Sequence, residues 1–571
     1  MLLYAMDDSS FPAASPRQAR VSRVLTRLDI AQASGYYAAG LWTPESLYSL
    51  FTAAAERSPQ HVAFVERHRQ ITYGELAEAV DRLAGHLRGN GLTSGDRVAV
   101  WLPSRAEVAV TVFACAREGF VCAPSLHRDH TVAQTLELLR RMRAAAFVGQ
   151  PGYGADADRR DIFARLEELA QPCIGLALEP ATAGLPLFPA LPAQDGVSPT
   201  TGAPADAVVY LAYTSGSTGE PKGVLHSSNT LLAPIRAMAA DWRIGADSVL
   251  YSLSPLSHNL GFGAMLMALC LGGTLVSHDL PRGESVARRM LETKATFAFG
   301  VPTHAIDLLG ELADGPITRL PGLIGFRVSG ASVSPQVAQQ MLDRGIVPQS
   351  GYGMTEAGNI HYTRPDDPPE LITGSSGRPF PGHQVKIVDT DDPGRPLPPG
   401  GIGHILARGP SVTLGYFDDQ LATERSFTED GWLHTGDLGW VDEAGNIRIT
   451  GRKKDVIIRG GHNIFPARIE NLANTAPSVA RSAAIPVPDE RLGEKVCLVV
   501  ARKTPEAEVD GDALLRHLDE AGLSKYDMPE YLAVVDDIPL LPSGKLDKLS
   551  LIELLNAGKL EKTPIRFRPG A

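Results

Sequence analysis

The sequence predicts an α/β fold: a large N-terminal domain of layered sheets and helices, followed by a smaller α/β domain. Apolar strands alternate with amphipathic helices from Thr72 to Val148, the pattern of a sheet faced by helices. Short apolar runs bounded by turn residues continue well past residue 300. A chain of 571 residues is also too long for one hydrophobic core.

Taken in order, residues 1–40 place Arg17, Arg20, Arg23 and Arg27 between apolar positions and read as an extension packed on the first domain. Leu47 to Arg57 is a helix by the spacing of Leu47, Leu50, Phe51 and Ala54; Thr43 is its expected N-cap, with Pro44 at the first helical position. Thr72-Tyr73-Gly74-Glu75 is a capping box. It opens a helix with Leu76, Val80, Leu83 and Leu87 on one face, ended by Asn90-Gly91. The Gly95-Asp96 turn leads into the strand Arg97 to Leu102, and Ala106 to Arg117 is a helix. Ala144 to Val148 and Val208 to Ala212 are buried strands, separated by a loop rich in Pro, Gly, Ala and Thr over residues 190–206. Asn229 to Trp242 is helical, and Ser248 to Leu253 is a strand ending toward His258-Asn259. Leu260 to Leu271 is apolar but too short to span a bilayer, so it reads as a buried helix. Gly273 to Ser277, Thr296 to Gly300, Gly325 to Val328 and the short Ile346 to Pro348 are further strands.

The stretch with the clearest chemistry follows the strand Val208 to Ala212. Gly216 and Gly219 let the backbone take positive φ and approach a ligand closely. Consecutive N–H groups in such a turn form an anion-binding concavity. Thr214, Ser215, Ser217 and Thr218 add hydroxyl donors, and Lys222 adds a point positive charge suited to phosphate. The loop is not a Walker A motif, because Lys222 is followed by Gly223 rather than Ser or Thr.

Composition removes several function classes. The hydrophobic fraction of 44% and charged fraction of 21% are those of a soluble globular protein. A net charge of −11 argues against nucleic-acid binding. Cys115, Cys122, Cys173, Cys270 and Cys497 are scattered without a CxxC pair, which suggests reduced cysteines and neither a zinc site nor a disulfide framework. No secretory signal and no apolar run of membrane-spanning length are visible, and a cytoplasmic location is expected.

The Thr214 to Lys222 stretch closely resembles the phosphate loop of the adenylate-forming superfamily of acyl-CoA synthetases, adenylation domains and luciferases, and further stretches match it in order. The resemblance covers residues 35 to 555 and implies the following roles. Gly330 and Ala331, in Ser329-Gly330-Ala331, would lie along adenine. In Gly351-Tyr352-Gly353-Met354-Thr355-Glu356, Tyr352 would stack on adenine, with Gly353 and Met354 beside it; Thr355 would bond the α-phosphate and Glu356 would bind Mg²⁺. Asp437, in Thr435-Gly436-Asp437, would accept the ribose hydroxyls, and Arg452 would contact ribose and phosphate. Lys454 would be the hinge between domains 1–451 and 452–571, the second being mobile. Gly460 and Gly461 would line the pantetheine tunnel for CoA, and Lys545, in Pro542-Ser543-Gly544-Lys545, would be the catalytic lysine.

The acid pocket implied by the resemblance includes His258, Asn259, Phe262, Gly263 and Val301. His258-Asn259 resembles the 2,3-dihydroxybenzoate–AMP ligases, where the Asn bonds a ring hydroxyl; Tyr362-Thr363-Arg364-Pro365 resembles the same branch. The 451–466 run looks more like medium-chain fatty acid and cyclohexanecarboxylate CoA ligases. The expected function is therefore an ATP-dependent ligase of a medium-size aliphatic, alicyclic or aryl carboxylic acid to CoA, through an acyl-AMP. The alternative is an aryl-acid adenylating enzyme that loads an acyl carrier protein. A luciferase-like monooxygenase and a non-catalytic nucleotide-binding protein are further readings; intact Lys222, Glu356, Asp437 and Lys545 argue against the last.

Overall fold

The computed structural model describes residues 24–191, 202–214, 221–281, 283–330, 333–390, 392–460, 462–504, 507–541 and 545–567. Two large sheets face each other across a layer of helices. One has nine strands, with a parallel centre formed by Val62–Val65, Thr274–Ser277, Val249–Ser252, Phe297–Gly300, Gly325–Val328 and Val347–Met354. The other has six, with Ala144–Gly149, Arg97–Trp101, Val121–Ala123 and Val208–Thr214 parallel at its centre. Helices Leu47–Arg57, Tyr73–Gly89, Ala106–Glu118 and Asn259–Leu271 lie between them. Their apolar side chains meet Phe64, Leu250 and Phe297 of one sheet and Val98, Val148 and Val209 of the other in one core. Burial on two sides explains why the last two helices are apolar nearly all round.

A four-stranded antiparallel sheet follows, ending in the paired strands Leu433–Val441 and Ile447–Arg452. The last sheet begins at Ile457 and is centred on Gly493–Arg502. Alternation along Gly493–Arg502 sends Leu498 and Val500 to the helix Gly511–Glu520, and Cys497 and Val499 to the helix Lys548–Asn556. Each face of this sheet thus has its own small core. Among the described residues no helix is long and apolar enough to cross a membrane.

Several expectations are corrected. The N-cap of Leu47–Arg57 is Ser46, in a reciprocal capping box with Ser49; Thr43 instead accepts from Arg236. After the phosphate loop the chain forms the strand Lys222–Ser227, which the sequence analysis does not anticipate. Gly351 to Met354 is not a loop after a short strand: the strand runs unbroken from Val347 to Met354. The strand before the acid pocket stops at Ser252, so His258 and Asn259 do not end it; His258 is the N-cap residue and Asn259 the first residue of the next helix. The glycine-rich stretch at 459–466 is largely a hairpin of Ile457–Arg459 and His462–Ile464. Arg17, Arg20 and Arg23 lie outside the described residues. Among the described residues no disulfide joins Cys115, Cys122, Cys173, Cys270 or Cys497.

Candidate active site

Strand Val208–Thr214 pairs with Lys222–Ser227 in antiparallel register, Thr214 opposite Lys222. Thr214 and Lys222 therefore flank the phosphate loop; Ser215, Gly216, Ser217, Thr218 and Gly219 lie outside the described residues. Lys222 Nζ stands 5.2 Å over the Tyr416 ring. The Tyr416 hydroxyl donates to Glu356 Oε1 at 3.1 Å. Burial raises the Glu356 carboxyl above its ordinary range, and the Tyr416 bond with the charges of Arg452 and Lys222 pulls the other way. The Thr355 carbonyl accepts from His226 Nε2 at 2.7 Å. A carbonyl can only accept, so Nε2 carries the proton; burial pushes this imidazole down to about 4 and keeps it neutral.

The second group is built on two adjoining strands in which Asp437 pairs with Arg452. The Tyr352 hydroxyl donates to Asp437 Oδ2 at 2.9 Å, and Arg452 Nε lies 3.2 Å from Oδ1. Asp437 is buried, and burial raises its carboxyl; the Arg452 charge, the Tyr352 bond and the Lys545 charge oppose that. Gly353 is required by geometry: a Cβ there would come 2.1 Å from the Gly358 carbonyl oxygen. Met354 packs on the small cluster of Tyr352, Ala357 and Ile360.

Lys545 reaches this group from between the strand Tyr531–Val535 and the helix Lys548–Asn556. A Cβ on Gly330, which has φ +92°, would lie 3.2 Å from Lys545 Cε and 3.5 Å from Val301. The lysine charge is felt at Asp437 and at His258. Gly330, Val301, Asp437, His258 and Lys545 therefore converge from both parts of the chain. Ala331 and Gly461 lie outside the described residues. Lys454 sits in a 3-10 turn, Lys453–Asp455. Gly460, with φ +59°, follows the strand Ile457–Arg459, and its N–H donates to the Leu492 carbonyl.

On the acid side, His258 stacks on His127 at 4.0 Å and 12°. Burial, with the Lys545 charge, lowers His258 to about 4, so it is a neutral ring near pH 7. Asn259 Oδ1 accepts from the Tyr210 hydroxyl at 3.4 Å, and Phe262 packs on the Tyr210 ring at 4.4 Å. Sequence reading missed Tyr210, His127, His226 and Tyr416. Two of them had a signal: His127 follows a parallel strand at its carboxyl end, where α/β sheets place ligand groups, and Tyr210 is an aromatic residue in the strand leading into the phosphate loop.

Among the described residues no group of three or more His, Cys, Asp or Glu could hold a metal. A Mg²⁺ ion would have to be held by Glu356 together with substrate phosphates, which is the ordinary coordination of that ion. Glu356, partly exposed and with Oε1 already engaged by Tyr416, fits that arrangement.

The AMP-binding enzyme family model matches residues 51–417, and its C-terminal domain model matches residues 468–545. The chain belongs to the AMP-binding enzyme family. It is 31% identical over 524 residues to the medium-chain fatty-acid–CoA ligase of Escherichia coli K12, covering 91% of this chain and 92% of that one. It is also 31% identical over 542 residues to the salicyl-AMP ligase / salicyl-S-ArCP synthetase of Mycobacterium tuberculosis, covering 92% and 93%. The ATP-bound MatB of Rhodopseudomonas palustris superposes with a TM-score of 0.78 at 29% identity, over 90% of this chain and 99% of that one. As a family member the chain is an AMP-forming acid–thiol ligase that uses ATP.

Proposed function

We propose that the protein joins a medium-sized aliphatic, alicyclic or aryl carboxylic acid to CoA through an acyl-AMP. The observation that carries this reading is Lys545 lying against Gly330 and Val301, beside Asp437 and His258. In the first half-reaction the acid's carboxylate oxygen attacks the α-phosphorus of ATP, the bond to the β-phosphate breaks, and pyrophosphate leaves. The carboxylate is already ionised at neutral pH, so no general base is required. Charge grows on the α-phosphoryl oxygens, where Thr355 and Lys545 would stabilise it; fixed donors of this kind are usually the largest catalytic contribution. Mg²⁺ held at Glu356 would neutralise phosphate charge. Asp437 would accept the ribose hydroxyls while Arg452 and Tyr352 hold its carboxylate in place. Thr214 and Lys222 would hold the β- and γ-phosphates with the loop between them.

In the second half-reaction the CoA thiol, its proton lost to solvent, attacks the acyl carbonyl and AMP leaves. The segment 452–571 would turn about Lys454 against 1–451, bringing Gly460 and Gly461 to the pantetheine arm. A second reading, loading of a carrier-protein phosphopantetheine, is favoured by the His258-Asn259 pair and by the carrier-loading relative. A panel of acids with ATP separates the two: pyrophosphate release is measured with CoA and with a phosphopantetheinylated carrier protein. Thioester on CoA supports the first reading, and thioester on the carrier alone supports the second.

A further inference from the structure

The nine-stranded sheet has a cavity at the end opposite the candidate active site. Strands Phe297–Gly300 and Gly325–Val328 run parallel, with Phe297 opposite Gly325. Their leaving ends are followed by Val301 and Gly330, beside Lys545. Just before their entering ends lies a cavity of about 120 Å³, lined by Met290, Leu291, Lys294, Ala295, Leu320 and Leu323. None of His258, Asn259, Phe262, Gly263 or Val301 lines it. Roughly 20 Å of extended chain separates Ala295 from Val301. The cavity is therefore distinct from the acid pocket.

Its chemistry is of two kinds. Met290, Ala295, Leu320 and Leu323 are buried members of the core shared with the helices Val286–Glu292 and Pro302–Asp314. They border open space, so their outer atoms lack the contacts of a close-packed interior. Leu291 is 47% exposed beside them, and Ile324, next in the chain after Leu323, is 52% exposed. Among the described residues Lys294 is the only charged group in the lining; Glu292 does not reach it. The Lys294 side chain has no ion pair or hydrogen bond among the described residues. Its backbone is held with φ +55°: the Lys294 N–H donates to the Leu291 carbonyl and the Ala295 N–H to the Met290 carbonyl, the double closure that ends many helices. The cation is thus carried at the cavity on a fixed backbone.

An apolar cavity of about 150 Å³ accepts a benzene-sized group. A cavity of this order with one cation on its lining is complementary to a short alkyl chain ending in a carboxylate. A plain hydrocarbon would leave the lysine without a counter-charge, and a dicarboxylate would press a second charge against leucine.

We propose that this cavity is a binding site for a short-chain aliphatic monocarboxylate, with the chain on Met290, Leu320 and Leu323 and the carboxylate at Lys294. The site stands apart from the ligase reading and does not depend on it.

The test is photolabelling of the full chain with 4,4-azipentanoate, a short carboxylate whose diazirine loses N₂ in light and inserts into neighbouring side chains. Labelled residues are mapped by mass spectrometry on the parent, K294R and K294E. The parent should carry label within residues 286–296 or 318–325. Excess hexanoate should suppress that label, and excess 1-hexanol should suppress it less. K294R should keep the label, and K294E should lower it by about fivefold or more, the scale of exchanging an attractive surface charge for a repulsive one. No label in these segments of the parent, or equal label in K294E and the parent, overturns the proposal. So does a parent mass by light scattering that doubles with concentration while that of Leu291→Asp does not, because a second copy would then cover the cavity. Each of these results leaves the ligase reading standing.

Discussion

At the residue scale, Lys545 lies within reach of side chains contributed from three separate stretches, and its position makes a sharp prediction. Lys545→Ala should slow acyl-AMP formation by about 10²–10³, the effect of losing one fixed donor to a developing charge. Thioester formation from supplied acyl-AMP should be nearly intact; equal loss in both half-reactions would remove the lysine from the first. Tyr210 makes a second. Burial raises its phenol, so it stays protonated and donates to Asn259, fixing that amide's orientation. Tyr210→Phe should lower kcat/KM for a hydroxybenzoate relative to benzoate by about tenfold, because a site built to bond a hydroxyl discriminates strongly against its absence. If both acids lose equally, Tyr210 only supports the fold. Lys545 is a candidate the sequence alone can offer because its motif is local. The partners of His258 and Asn259 were not, because His127 and Tyr210 meet them only through the fold, 131 and 49 residues away in sequence.

At the element scale, most helices and strands of the N-terminal part were legible from caps and apolar spacing. The capping box at Thr72 starts its helix as read. The misses have physical reasons. Ser46 outcompeted Thr43 because Ser49 returns its bond, a reciprocal pair the Thr43-Pro44 reading overlooked. The strand Val347–Met354 was cut short because its glycines read as loop, yet Gly353 is there for close strand crossing. The turn Lys453–Asp455 joins the strand ending at Arg452 to the one beginning at Ile457. If it is a hinge, Lys454→Pro, which fixes φ and disfavours helical backbone at Lys453, should trap one orientation. Acyl-AMP formation should then persist while CoA-dependent turnover collapses. Loss of both steps together, with unchanged melting temperature, would put the hinge elsewhere.

At the scale of the whole molecule, the fold buries several histidines. Burial lowers His226, His258, His304 and His404 to about 4, and His361 and His383 to about 3, from an ordinary value of 6.5. The folded state holds these rings neutral, while the unfolded chain takes up protons below pH 6.5. Stability from this source is therefore complete above about pH 6.5 and is lost as pH falls toward 4, each histidine contributing up to about 1.4 kcal/mol per pH unit in that window. Denaturation midpoints at pH 7.5, 6 and 5 should drop steeply over the last interval. Equal midpoints at pH 7.5 and 5 would mean that these histidines are protonated, or already shielded, in both states.

The most direct test of the proposed CoA-ligase reaction is the fate of ATP in a single turnover with an accepted acid. Without CoA, one equivalent of pyrophosphate should appear and acyl-AMP should remain on the enzyme. Adding CoA should convert that acyl-AMP to acyl-CoA and free AMP. Release of ADP and phosphate, or an acyl-AMP that CoA does not consume, would contradict it.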